Sequence, residues 1–173
     1  CVLSCVSGEF AVRPNLRSNK DRTSYQLFTG VMSKITQLDS KEVYKNYWMR
    51  VREDKIRRPS GVEGIYGVVE KPDFAVIAAI ENGFIYLVQQ YRYTVGGRFW
   101  EMPQGAWEQN PDADPEDLAA GELKEETGLV AGKMTQLAYQ YLAYGFCNQG
   151  YHIYIAQELS QRARELDAEE EDL

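Results

Sequence analysis

Between positions 122 and 128 the chain reads Glu122-Leu123-Lys124-Glu125-Glu126-Thr127-Gly128, and the spacing of its three glutamates is what chemistry could use. On a helix the separations 122 to 125 and 122 to 126 are i,i+3 and i,i+4, so the three carboxylates share one face about one turn tall. Like charges at those spacings weaken an isolated helix by about 0.2 to 0.5 kcal/mol per pair. A hard divalent cation offsets that repulsion: Mg2+ takes carboxylate oxygens, keeps several waters and bridges to substrate phosphates. The plain alternative is a solvated acidic face with Lys124 and Thr127 beside it.

The elements that must carry these groups are well punctuated. Asp114 is an N-cap, Pro115 stands at the first helical position, Glu116 and Asp117 fill the first turn, and Gly128 follows the end, which predicts a helix from 114 to 128. Leu118, Ala119 and Leu123 give that helix an apolar face for a sheet. Upstream, Trp100-Glu101-Met102-Pro103 reads as a short strand ended by proline, feeding a polar loop from 104 to 113. Residues 43 to 56 and 64 to 69, joined through Pro59-Ser60-Gly61, read as an antiparallel ribbon. Residues 73 to 80 and 84 to 90, joined by Glu81-Asn82-Gly83, read as a hairpin. Strands are expected at 134 to 143 and 151 to 156, then a helical or disordered acidic end. The class is α+β, a mixed or antiparallel sheet with a helix packed on it.

Composition narrows the function. A chain of 173 residues with 44% hydrophobic content builds one core, and no apolar run approaches the roughly 18 residues of a membrane span. Residues 1 to 31 lack a sustained period, so 1 to 39 is expected to be a loosely structured extension and 40 to 173 the folded domain. The apolar stretch Cys1-Val2-Leu3-Ser4-Cys5-Val6 is short and has no basic residue before it, unlike an export signal. Three cysteines make no disulfide framework, which points to a reducing, cytoplasmic setting. Cys147 would need a base to act as a nucleophile, and the sole histidine, His152, sits in an alternating strand and reads as a strand residue. The net charge of −7 gathers at the end, on Glu165, Asp167, Glu169, Glu170, Glu171 and Asp172. The nearly neutral body lacks the basic stripe of a nucleic-acid binder.

The order Trp100-Glu101-Met102-Pro103-Gln104-Gly105, a long loop, then Glu122-Leu123-Lys124-Glu125-Glu126-Thr127-Gly128-Leu129 resembles the Nudix hydrolase family over roughly residues 42 to 157. The family's box runs Gly, five residues, Glu, seven residues, Arg-Glu-hydrophobic-x-Glu-Glu-x-Gly-hydrophobic. Gly105 matches its first glycine, and the loop that follows is two residues longer than usual. Ala113 falls where the box has its first glutamate and Gly121 where it has arginine, so a supporting ion pair is lost as a unit, which orphans no charge.

The resemblance implies an α/β/α sandwich with a mixed sheet and an N-terminal antiparallel β ribbon. It also implies Mg2+, with Mn2+ as the alternative, held by Glu122, Glu126, Glu125 and the backbone carbonyl of Gln104. The reaction it implies is hydrolysis of a nucleoside diphosphate linked to another moiety, such as ADP-ribose or a nucleotide sugar. Relatives place a catalytic glutamate in a later loop where this chain has Gln149, a substrate contact here, so either Glu125 takes the part of general base or turnover is weak. Arg92, in Leu87-Val88-Gln89-Gln90-Tyr91-Arg92, and Glu101 become substrate contacts. The ribbon, with Tyr47, Trp48, Arg50 and Arg52, would form a twofold homodimer and cover the base. It further implies a strand and helix beyond Leu173. A non-catalytic nucleotide-binding or sensor module is the other reading, carried by Ala113, Gly121 and Gln149.

Overall fold

The computed structural model describes residues 2–6, 9–13 and 34–162. Strands β1 (Val2–Val6) and β2 (Glu9–Arg13) pair antiparallel within a unit spanning Cys1–Ser33, and Lys34–Leu173 forms a second unit. The stretch expected to be loose therefore contains a strand pair, and β3 begins at Thr36, ahead of the expected boundary at 40.

β3 (Thr36–Lys45), β4 (Arg50–Arg57) and β5 (Glu63–Glu70) form a three-stranded antiparallel sheet in that order. The start of β3 escaped the sequence reading because its polar residues show no alternation and every position is exposed. The β3–β4 turn is closed by Asn46, whose Oδ1 accepts from the amides of Trp48 (3.0 Å) and Met49 (2.9 Å), a turn device native to asparagine. Arg52 Nε donates to Glu70 at 2.8 Å and Arg50 pairs with the same carboxylate at 3.2 Å. Charge pairs and the backbone ladder, with little apolar burial, hold this sheet.

The main sheet is built from β6 (Phe74–Glu81), β7 (Phe84–Ile85), β10 (Gln104–Gly105), β11 (Leu129–Tyr141) and β12 (Gly150–Gln161). Its order is β10-β6-β12-β11, with β7 also on β6. β12 runs parallel to β6 and the other pairs are antiparallel, which makes the sheet mixed. The hairpin at Asn82-Gly83 forms with positive φ at both residues (52° and 81°), as a two-residue mirror-image turn requires. The strand expected over 84 to 90 is corrected: it breaks after Ile85, and β8 (Val88–Arg92) pairs with β9 (Gly97–Glu101) instead. A period-two pattern names no partner, and β9 offers one to all five residues of β8. β11 and β12 exceed their expected lengths, with a register shift between Gln136 and Ala138.

Helix α1 (Pro115–Thr127) starts where Asp114 accepts from the amide of Glu116 at 2.8 Å and ends at Gly128, at φ 72°. Leu118, Ala119 and Leu123 pack on Ala75, Ile77 and Ala79 of β6, Leu129 of β11, and Tyr154 and Ala156 of β12. The alanines, with small side chains on both elements, let the helix lie close to the sheet. Among the described residues α1 is the one α-helix, laid on one face of the mixed sheet, in keeping with the α+β class. No described helix is long and apolar enough to cross a membrane. The acidic end beyond 162 lies outside the described residues.

Candidate active site

Two charged groups of α1 are as buried as its core. Glu122 is 5% and Glu126 3% exposed, and glutamate is almost never buried without a partner or a task. Both face the strand-to-loop junction after Pro103. The amide of Gln104 donates to Glu126 Oε2 at 3.0 Å. The Glu122 carboxylate lies flat on Gly105: a Cβ built there would stand 2.1 Å from Oε2. Any larger residue at 105 would displace the carboxylate.

Glu122, Glu125 and Glu126 line one cavity of about 260 Å³, with Trp48, Arg92, Gln104 and Glu108 on its other walls. Its donor set is oxygen-rich, which suits a hard divalent ion, and the Gly105 cradle already fixes one carboxylate against the loop. As placed, no three His, Cys, Asp or Glu side chains among the described residues are gathered tightly enough to hold one ion. Gripping a cation therefore calls for rotation of glutamate side chains, an unbranched and adaptable type.

A second cavity, about 420 Å³, adjoins the first through Arg92, Gln104, Gly105, Ala106 and Glu108, and adds Lys71, Phe74, Glu101, Leu142 and Gln149. Arg92 and Glu101 meet here as a bidentate pair, with Arg92 Nε 3.0 Å from each carboxylate oxygen. The hydrogen bond from Arg92 holds Glu101 below the usual carboxylate range, helped by the nearby positive charge and by Gln104 Nε2, which donates at 2.7 Å. Arg92 is raised in turn, chiefly by its bond to Glu101, with Glu126 contributing through space. Arg92 is thereby aimed, with one edge committed to Glu101. A third cavity, about 250 Å³, shares Trp48 and Glu108 with the first and runs under the β3–β4 turn, along Asn46, Tyr47, Met49 and Lys71. Glu108 lines all three. The sequence reading missed Glu108, Lys71 and Trp107; the signal within reach was their place beside Gly105 and at the end of the ribbon.

The loop between β11 and β12 is pinned to the ribbon. Val69 N donates to Phe146 O at 2.8 Å, Asn148 N to Val69 O at 3.1 Å, and Lys71 N to Asn148 Oδ1 at 3.1 Å. Gln149 is buried and spends its amide on Pro72 O at 2.8 Å while lining the second cavity. His152 is engaged by Gln136 at 3.0 Å and by the ring of Tyr139, as a strand residue would be. Cys147 is buried and accepts from Gln149 N.

The positions that break the box are filled differently. Trp107, in the loop, lays its indole on the helix backbone at Gly121: a Cβ there would stand 2.4 Å from Cζ2. Ala113, Leu118 and His152 border a small cavity of about 80 Å³ that Trp107 also lines.

Comparison with known proteins decides the family. The model of the NUDIX domain matches residues 71–173, more than half of the chain. The chain belongs to the Nudix family. Residues 35–69, the ribbon of this Nudix chain, match a second model, the nucleoside diphosphate sugar hydrolase N-terminal domain. An ADP-ribose pyrophosphatase of Bacillus subtilis (strain 168) is 34% identical over 68% of the chain and 64% of its own length. One of Mycobacterium tuberculosis is 34% identical over 79% of the chain and 66% of its own length. The chain thus spans just under two thirds of these relatives. A crystal structure of an ADP compounds hydrolase superposes with a TM-score of 0.70 at 22% identity, covering 79% of this chain and 74% of that one, which shows the same Nudix fold.

Proposed function

We propose that the protein is a Mg2+-dependent pyrophosphohydrolase that cleaves a nucleoside diphosphate linked to another moiety, with ADP-ribose or a nucleotide sugar as the substrate class. One observation carries the reading: two buried carboxylates of α1 lie against the Gln104–Gly105 backbone in a cavity that opens onto Arg92 and Trp48. The relatives named as ADP-ribose pyrophosphatases support the same class.

Glu122, Glu125 and Glu126, with the carbonyl of Gln104, would hold the ion. When bound, a divalent cation supplies Lewis acidity, acidifying water and neutralising charge on the diphosphate. Glu125, only partly buried at the cavity wall, receives the proton of the attacking water at its carboxylate. Arg92, aimed by Glu101, and Lys71 hold the diphosphate oxygens across the two adjoining cavities. Trp48, shared between the first and third cavities, covers the nucleoside, and Gln149, whose Nε2 is committed to Pro72 O, offers the substrate its amide oxygen at the wall of the second cavity rather than a base.

The exposed Tyr44, Tyr47 and Ile65 of the ribbon support a homodimer formed through that sheet. The buried free thiol of Cys147 suits a reducing, cytoplasmic setting. Gln149 also supports a second reading, a nucleotide-binding sensor without turnover, because an amide cannot take a proton from water. A panel of ADP-ribose, nucleotide sugars and dinucleoside polyphosphates with and without Mg2+ separates them. Metal-dependent release of a nucleoside monophosphate is required by the first, while tight binding without release selects the second.

A further inference from the structure

The loop after Pro103 and helix α1 meet through two contacts of opposite sense. Glu122 of the helix seats on Gly105 of the loop, and Trp107 of the loop seats on Gly121 of the helix. In each case the residue beneath is glycine because a Cβ would collide, at 2.1 Å with the carboxylate and at 2.4 Å with the ring. The contacts fall on consecutive residues of the helix and two residues apart on the loop, so neither can shift without straining the other.

We propose that Trp107 is a positioning residue that fixes the Glu122 carboxylate over the loop, an apolar strut where the family box carries an ion pair. Three observations support this. The ring touches helix backbone at the residue immediately before Glu122. It packs on the buried core beneath α1. It also lines both the carboxylate cavity and the small cavity bordered by Ala113 and His152. The loop itself is braced around the ring by Asn110 N donating to Trp107 O at 2.9 Å and Ala113 N donating to Asn110 O at 3.1 Å. A packed ring transmits position without charge, so the device is insensitive to ionic strength, unlike an exposed ion pair.

The inference rests on the metal reading above. Its test is Mn2+ affinity, followed by electron paramagnetic resonance, in wild type, W107A, W107F and G121A, beside thermal melts and steady-state kinetics. Removing the ring, or pushing it off the helix with a Cβ at 121, is expected to weaken Mn2+ binding about tenfold or more, the range seen when groups supporting metal ligands are lost. W107F should recover part of the loss, kcat should fall with KM within a few-fold, and the wild-type affinity should be no more salt-sensitive than that of W107F. G121A discriminates by itself: alanine is the better helix former, so a purely local role predicts an unchanged or tighter protein, whereas the strut predicts weaker Mn2+ binding. If W107A does not fold, W107F and G121A carry the comparison. Wild-type binding of Mn2+ that G121A and W107F both match would overturn the inference alone; absence of Mn2+ binding by wild type would overturn the metal reading and the inference with it.

Discussion

The amide of Gln104 donates to the Glu126 carboxylate at 3.0 Å, so strand β10 is held by the same side chain that faces the candidate metal cavity. That bond couples local backbone position to the chemistry of one residue, and it sets what each substitution should do.

Glu126→Gln keeps an oxygen for the Gln104 amide while removing the charge. Turnover is expected to fall roughly a hundredfold or more, equivalent to about 2.7 kcal/mol of barrier, with the melting temperature near that of wild type. Steady-state kinetics beside a thermal melt check this, and unchanged turnover would remove the helix from the mechanism.

Gly105→Ala drives a Cβ into the far end of the Glu122 side chain, which can swing aside. Stability should change little. Activity should drop at least about tenfold, because the displaced carboxylate no longer faces the loop. A large loss of stability with activity retained per folded molecule would contradict this arrangement.

Mg2+ should stabilise the folded chain, since it neutralises clustered carboxylates that the unfolded chain keeps apart. At about a hundred times its dissociation constant the gain is about 2.7 kcal/mol, a rise of several degrees in a melt, reversed by a chelator. The rise should be smaller in Glu126→Gln.

Glu101 has its carboxyl held below the ordinary range by the hydrogen bond from Arg92. A lowered folded value means that the pair's stabilisation is complete above the unfolded carboxyl value and is lost as pH falls through the lowered one. Wild type and Glu101→Gln should therefore differ in melting temperature at neutral pH and converge in strongly acidic buffer. A constant gap down the pH scale would show that Arg92 does not govern Glu101.

Deleting residues 1 to 31 should leave folding and turnover intact, because Lys34–Leu173 forms a unit by itself. Circular dichroism and the same assay decide it.

Much of this was legible in the chain. The helix from Asp114 to Gly128 could be read because caps, proline and glycine act on their own backbone, and that local signal needs no tertiary partner. The shared face of Glu122 and Glu126 followed from helical geometry. The hairpin at Asn82-Gly83 followed from the left-handed conformations that its turn demands. Strand partners were less accessible. The residues of β8 pair with β9 rather than extending β7, and β3 shows no alternation because neither of its faces is buried.

The sequence by itself determined that a capped helix would carry Glu122, Glu125 and Glu126 on one face, since caps and helical spacing depend on residues within one or two turns of each other. Only the tertiary structure decided that Glu122 rests on Gly105, that Trp107 rests on Gly121, and that Arg92 is already committed to Glu101. Those contacts join segments distant along the chain, and whether they form is settled by close packing of the helix on the sheet, a property of the whole fold.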